Sequence, residues 1–295
     1  MKTNASWANR KNNDLLIQIE SIVRRALDED IGDGDITTVG TIPPDTTLDG
    51  KLIAKAPGVI AGLAVAQLTF TLVDERTQFT PHIADGDPVK KGDVFATVSG
   101  PCRALLSGER VALNFLQRMS GIATLTRRFV EVVQSTRAVI LDTRKTAPGL
   151  RLLDKWAVQL GGGQNHRFGL YDMALIKDNH IAAVGGLSEA VARVRAADER
   201  HRAIEVEVKT LAELQEALPL RPDRILLDNM SLAEMREAVR LAAGRVPLEA
   251  SGNVTLDNVA EISATGVDYI SIGALTHSVR ALDISLELDP IAAIS

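Results

Sequence analysis

A single cysteine, Cys102, stands in the 295 residues, so no intrachain disulfide and no multi-cysteine metal site can form. No apolar run approaches the roughly 18–20 residues that a helix needs to span a bilayer. Excess positive charge is also lacking: 33 Lys and Arg stand against 38 Asp and Glu, a formal net charge of −5. A nucleic-acid binder would carry a basic footprint, so that class is set aside, and any cationic site must be local against an acidic surface. Met1–Asn13 is polar and lacks the apolar core of a signal peptide. The expectation is a cytoplasmic protein with no membrane and no nucleic-acid partner.

What is present is enough apolar sequence, 45% of residues, to bury a large core in one large domain or two ordinary ones. Leu15–Glu29 has apolar residues at helical spacing, at Leu15, Ile19, Ile22, Val23, Ala26 and Leu27. Asp30–Thr38, rich in Asp, Gly and Thr, reads as a loop. Leu48–Thr97 reads as strands and turns with one helix, Val65–Val73, and Asp85–Val94 within it as a turn-strand-turn unit. A long helical pattern from Ser107 to about Gln134 is expected to link a smaller N-terminal domain to the C-terminal half of the chain.

From Asp142 to Ala274 one pattern recurs six times: a short apolar strand, a charged or glycine-containing cluster, then a helical stretch. Val139–Leu141 runs into Asp142-Thr143-Arg144-Lys145, and Met173–Ile176 into Lys177-Asp178-Asn179-His180. Ile204–Val208 carries Glu205 and Glu207, and Ile225–Leu227 ends in Asp228-Asn229. Val246–Leu248 is followed by Glu249-Ala250-Ser251-Gly252-Asn253, and Tyr269–Ser271 by Ile272-Gly273-Ala274. The crossover helices are expected at Leu150–Leu160, Leu187–Arg200, Thr210–Leu218, Leu232–Ala243 and Leu256–Ala264. Such alternation implies a parallel sheet, whose ligands bind at the carboxyl ends of the strands. Nearly every strand here ends in a group able to do chemistry, which points to an enzyme.

Most surface lysines and arginines carry no function, but Arg144, Lys145 and Lys177 each follow a strand at the ligand-binding rim. His166 and Arg167 follow Gly161-Gly162-Gly163, where glycines let backbone approach a ligand closely. Several cations converging on one pocket imply a polyanionic ligand. Glu205 and Glu207 share one face of their strand, and Asp228 closes the next. Acids at adjacent strand ends suit ribose hydroxyls, a Mg²⁺ shell, or a cationic sugar transition state. Ser251-Gly252-Asn253 and Ile272-Gly273-Ala274 place glycines at the last two strand ends, where α/β barrels often hold phosphate.

Taken in order, Asp142–Arg151, Gly161–Arg167, Leu175–His180, Glu205–Val208, Leu226–Asn229, Glu249–Asn253 and Ser271–Thr276 resemble the quinolinate phosphoribosyltransferase family. The resemblance extends upstream through Gly-Asp-Ile-Thr (34–37) and Ser-Gly-Glu-Arg (107–110) and covers nearly the whole chain. It implies an α/β fold, with an N-terminal α/β sandwich over 1–120 and an open, incomplete α/β barrel of parallel strands over 121–295. The C-terminal tail is expected to pack back on the N-terminal domain. It also implies a homodimer and the decarboxylating reaction of quinolinate with phosphoribosyl pyrophosphate, which yields nicotinate mononucleotide, pyrophosphate and carbon dioxide. This is a pentosyl transfer within NAD biosynthesis.

By the same resemblance, Arg144, His166, Arg167 and Lys177 grip the quinolinate carboxylates beside Thr143, and Lys145 bridges quinolinate and the donor pyrophosphate. Glu207 and Asp228 face the ribose hydroxyls or a Mg²⁺ ion that arrives with the donor, and no organic cofactor is expected. Lys145, Lys177, Glu207 and Asp228 form the expected catalytic set. Ser251, Gly252, Asn253, Ile272, Gly273 and Ala274 hold the ribose 5′-phosphate, and Arg110 reaches the neighbouring subunit's site. Three rivals remain: a barrel aldolase or decarboxylase using Lys177 as a Schiff base, a sister transferase for nicotinate, and a lipoyl or biotinyl carrier. The carrier reading fails on sequence, because Ala54-Lys55-Ala56 lacks the flanking pattern of a modified lysine.

Overall fold

The helical spacing that begins at Leu15 belongs to α1, Asn4–Ile31, in a computed structural model describing the backbone of residues 4–289 and side chains from residue 15. The side chains of Met1–Asn13, on which the expectation about a signal peptide rests, lie outside the described residues. Next come α2 (Ile36–Thr41), β1 (Thr47–Ala54), β2 (Gly58–Val59), α3 (Leu63–Val73), β3 (Gln78–Pro81), β4 (Pro88–Val89), β5 (Val94–Pro101) and α4 (Cys102–Val133). Among the described residues no helix is long and apolar enough to cross a membrane.

The chain divides into two units: Met1–Thr124 with Ala147–Gly161 and Val279–Ser295, and Leu125–Thr146 with Gly162–Ser278. In the first unit β1 pairs antiparallel with β5, β5 with β3, and β1 with a C-terminal strand, Ile284–Leu288. That strand shows the described end of the chain returning to the first unit. Leu52, Phe95, Val98 and Leu286 of the sheet join Phe70 of α3 and Leu105, Ala112 and Leu116 of α4 in one buried core. Removing such side chains from water contributes about 1.5–3 kcal/mol each, which holds helices against the sheet.

One expectation needs correction. Asp30–Thr38 is not all loop, because Asp35 caps α2: its Oδ1 accepts the Thr38 N–H at 2.9 Å. Asp is a favoured N-cap because its carboxylate satisfies an orphan helix donor. The same carboxylate accepts from Ser107 Oγ at 3.0 Å, so the 34–37 and 107–110 motifs meet.

The second unit holds β6 (Val139–Leu141), β7 (Ala174–Ile176), β8 (Ile204–Val208), β9 (Arg224–Asp228), β10 (Leu248–Ser251) and β11 (Tyr269–Ser271). Their order is β6-β11-β10-β9-β8-β7, every pair parallel. The end strands β6 and β7 do not pair, so the barrel is open. The helix after β6, α5 (Arg151–Leu160), therefore joins the two edges and groups with the first unit. It is not a crossover between bonded neighbours. Helices α6 (Asp178–Val184), α7 (Leu187–Ala197), α8 (Leu211–Ala217), α9 (Leu232–Ala242), α10 (Val259–Ser263) and α11 (Ala274–His277) follow the other strands.

A second correction concerns β10, which begins at Leu248 where the sequence reading ends it. Pro247 has no N–H to give a ladder, and pairing starts one residue later, with Leu248 opposite Ile225 of β9. Glu249 and Ser251 are therefore strand residues.

The packing of α4 generates a stability prediction. A Cβ on Gly121 would collide with the Arg280 carbonyl and lie 3.0 Å from Ala281 Cα. Gly121→Ala is expected to lower stability by about 1–3 kcal/mol through overpacking. Gly40→Ala, in α2 with no atom within 4 Å of its new methyl, is expected to be neutral or to raise it by up to about 1 kcal/mol. Denaturant midpoints of the two variants check this, and a parental midpoint for Gly121→Ala would contradict it.

Candidate active site

Parallel register sets the strand ends of the second unit in one row. Ser251 pairs with Asp228 on one side and Ser271 on the other, and Ser271 pairs with Leu141. Side chains alternate along a strand, so Glu205 and Glu207, Leu226 and Asp228, and Glu249 and Ser251 share faces in pairs. A cleft of about 690 Å³ opens at this rim. It is lined by Thr143, Arg144, Lys145, His166, Arg167, Lys177, Glu207 and Asp228, and by both glycine clusters, Ser251–Asn253 and Ile272–Ala274. Arg110 is an exposed residue of α4 in the first unit and is not among the lining residues.

Arg167 is held at electrostatic cost. Burial, then the charge of neighbouring Arg144, pushes the Arg167 guanidinium below its ordinary range. Two guanidiniums that repel across a cleft are stabilised by an anion placed between them. Lys177 Nζ lies 2.7 Å from Glu207 Oε2, with its side chain 46% exposed. A Schiff-base lysine works best desolvated, so this paired and wet lysine counts against that rival. Lys55 of the Ala54-Lys55-Ala56 segment pairs with Glu287 at 2.5 Å. His180 spends its Nδ1 accepting the Lys177 N–H at 3.0 Å, a helix-capping duty.

The glycines permit close approach at two places. Gly252 has φ +102°, and a Cβ there would run into the Asn229 side-chain amide. A Cβ on Gly273 would press on Lys145 Cδ and His277 Cδ2, each at 3.0 Å. Both glycines line the cleft, and neighbouring side chains fill the space that a Cβ would take.

Beneath the rim lies a layer the sequence reading did not find. His166 Nε2 stands 2.8 Å from Glu205 Oε2 and 3.4 Å from Glu249 Oε2, both acids fully buried. These are ion-pair distances without hydrogen-bond alignment, since both Glu205 oxygens lack an aligned donor. Arg224 Nη1 donates to Glu249 Oε2 at 2.7 Å, and its guanidinium stacks 4.0 Å over Tyr269. His166 Nδ1 accepts the Arg167 N–H at 2.7 Å. Both ring nitrogens thus have partners within the protein, while His166 also lines the cleft. Its backbone is set in turn by buried Asp142, whose Oδ1 accepts the His166 N–H at 2.9 Å.

His166, Glu205 and Glu249 bring metal-ligand atoms within 4.8 Å of one another. Arg224 already supplies positive charge there, so the cluster is an internally compensated ion network. The apolar run Val246–Leu248 puts Glu249 in the loop that follows it, whereas β10 contains Glu249. Arg224 carried no signal, its partners lying 19 or more positions away in sequence.

Burial, and then the charge of Glu205, pushes the Glu249 carboxyl up to about 7 from an ordinary 4.5. The folded protein therefore holds a proton that the unfolded chain releases, and the stability this contributes is lost as pH rises from about 4.5 through 7. Glu249→Gln carries no such proton. Its melting temperature is expected to fall less than the parent's between pH 5 and pH 8, and parallel curves would contradict the assignment.

Comparison with known proteins places these features. Residues 35–120 match the family described as quinolinate phosphoribosyl transferase, N-terminal domain, and residues 122–287 match its C-terminal domain. A quinolinate phosphoribosyltransferase [decarboxylating] 1b from Nicotiana tabacum is 48% identical over 290 residues, covering 92% of this chain and 82% of that protein. A probable nicotinate-nucleotide pyrophosphorylase [carboxylating] from Bacillus subtilis is 46% identical over 272 residues, covering 92% and 94%. The crystal structure of NadC from Streptococcus pyogenes superposes with a TM-score of 0.90 at 43% identity, covering 94% of this chain and 98% of that one. With both family domains matched in order along the open barrel and its N-terminal sheet, this chain belongs to the quinolinate phosphoribosyltransferase family.

Proposed function

We propose that the chain transfers the phosphoribosyl group of phosphoribosyl pyrophosphate to quinolinate and removes one carboxylate. The observation that carries this reading is the convergence of Arg144, Lys145, Arg167 and Lys177 on one cleft that also holds Glu207 and Asp228. Quinolinate brings two adjacent ring carboxylates and the donor brings phosphate and pyrophosphate, so both are polyanions suited to such a cleft.

Arg144, Arg167 and Lys177 clamp the ring carboxylates, with Thr143 beside them and His166 holding the Arg167 backbone from below. Lys145, its alkyl chain passing Gly273, meets the pyrophosphate. Ser251–Asn253 and Ile272–Ala274 take the 5′-phosphate through backbone N–H groups. Glu207 and Asp228 face the ribose and favour the positive charge that develops at C1 as the C1–pyrophosphate bond breaks. The ring nitrogen then bonds to C1. The cationic ring accepts the electron pair of the C2–carboxylate bond as carbon dioxide leaves, and a proton replaces it at C2.

A Mg²⁺ ion fits this donor set, because hard cations take carboxylate oxygens and Glu207 and Asp228 line the same cleft. These two would hold it. When bound it neutralises departing pyrophosphate charge. A homodimer in which Arg110 enters the partner's site completes the reading, supported by its exposed place on α4 within the 107–110 motif.

The direct test supplies purified protein with quinolinate, phosphoribosyl pyrophosphate and Mg²⁺. Carbon dioxide and nicotinate mononucleotide should appear in equal amounts, and absence of either product overturns the proposal. Arg144→Ala or Arg167→Ala should weaken quinolinate binding by about ten- to a hundredfold, the loss of one charge-assisted contact. Glu207→Gln and Asp228→Asn should instead lower turnover more than quinolinate affinity. Titration calorimetry and steady-state rates separate the two patterns, and the reverse pattern would exchange the roles.

Mixing inactive Arg110→Ala with inactive Lys145→Ala should restore activity, because one site of each mixed dimer contains only native residues. With random exchange about half the dimers are mixed, so recovery should approach roughly a quarter of parental activity. Verified exchange without recovery would remove Arg110 from the partner's site.

A further inference from the structure

Asn229 follows β9 with a left-handed backbone, φ +55°, which asparagine tolerates better than most residues. Its side chain works in two directions. Nδ2 donates to Asp228 Oδ1 at 2.9 Å, while Oδ1 accepts from Asn253 Nδ2 at 3.1 Å. Its backbone N–H also donates to Ser251 O at 2.9 Å. Gly252, between those two loop partners, has no Cβ, and any Cβ there would occupy the space of the Asn229 amide. The loop is pinned on its far side as well, where Asn258 Nδ2 donates to Asn253 O at 3.0 Å and Asn258 Oδ1 accepts the Thr255 N–H at 2.8 Å.

One side chain therefore spans the two parts of the site that the proposed function gives to the phosphoribosyl donor. Asp228 belongs to the sugar end and Ser251–Asn253 to the phosphate end. Nothing in a turn of this kind requires the amide: a glycine satisfies left-handed φ at lower cost. We propose that Asn229 is a positioning residue that ties the Asp228 carboxylate to the Ser251–Asn253 loop and so sets the span of the donor site. This inference rests on the assignment of that site to the donor.

Geometry also explains why the residue is asparagine. Aspartate would keep an acceptor for Asn253 but lose the donor to Asp228 and set two carboxylates against each other. Glycine would keep the backbone and lose both bonds. Alanine would lose both bonds and strain the backbone, so it is a poor probe.

The test uses the full-length protein with Asn229→Gly and Asn229→Asp, measured for donor KM, kcat, quinolinate Kd and melting temperature. Asn229→Gly should raise donor KM and lower kcat, together costing about tenfold or more in kcat/KM for the donor, the loss of hydrogen bonds to a charged group. Quinolinate Kd should stay parental, and melting should shift by no more than a few degrees. Asn229→Asp should be worse than Asn229→Gly, because it removes the donor to Asp228 and sets a second carboxylate beside it. A role in folding alone would lower melting in both variants and leave the donor parameters unmoved.

Parental donor kinetics in Asn229→Gly would overturn the proposal. Failure of the donor reading looks different: Asp228→Asn would then also show parental donor kinetics and turnover. If Asp228→Asn is impaired while Asn229→Gly is not, the donor site stands and only the positioning role falls.

Discussion

Register in the parallel sheet is the constraint on which the cleft depends. Ser251 is bonded between Asp228 and Ser271, and Ser271 lies beside Leu141. The residues that come after these positions therefore emerge at one edge, although they belong to four separate stretches of chain. A slip of one residue would turn Glu207, Asp228 and Glu249 to the opposite face of their strands. Regular main-chain hydrogen bonding thus does the coarse placement, and side chains need only local adjustment.

The interior below the rim shows how the adjustment is made. Barrels of this kind usually fill their centre with branched apolar side chains. Here His166, Glu205, Arg224 and Glu249 stand there instead, tied by contacts of 2.7–3.4 Å. Buried charge is costly unless compensated, and this group compensates itself with two acids, one arginine and one histidine. Its service to the cleft is orientation, since His166 reaches the Arg167 backbone on one side and the acids on the other. Above it, the charge of Arg144 still bears on Arg167.

The N-terminal unit is built by different means. Its sheet is antiparallel and buries one face against α3 and α4. The join between the 34–37 and 107–110 motifs is a single carboxylate, Asp35, which takes bonds from both. Arg103 closes the other end of α2 by donating to Ile42 O at 2.6 Å. Two short motifs that look unrelated along the chain are thus one local structure.

Local pattern along the chain determined the elements. Short apolar runs mark Val139–Leu141, Ile204–Val208 and Tyr269–Ser271 at their observed bounds, and helical spacing marks α4 and α9. Motif order also determined the family. The sequence reading failed where a local rule was overridden: Pro247 delayed β10, and Asp35 turned part of a polar loop into a helix. Only the tertiary structure decided which residues face one another. It brought Glu205, Arg224 and Glu249 under His166, left α5 joining two unpaired edge strands, and set Asn229 between Asp228 and Asn253. The reason is physical: spacing along the chain reports which face a side chain takes, but a contact across strands depends on register and strand order. Those are settled by long-range hydrogen bonding and by burial of the whole sheet.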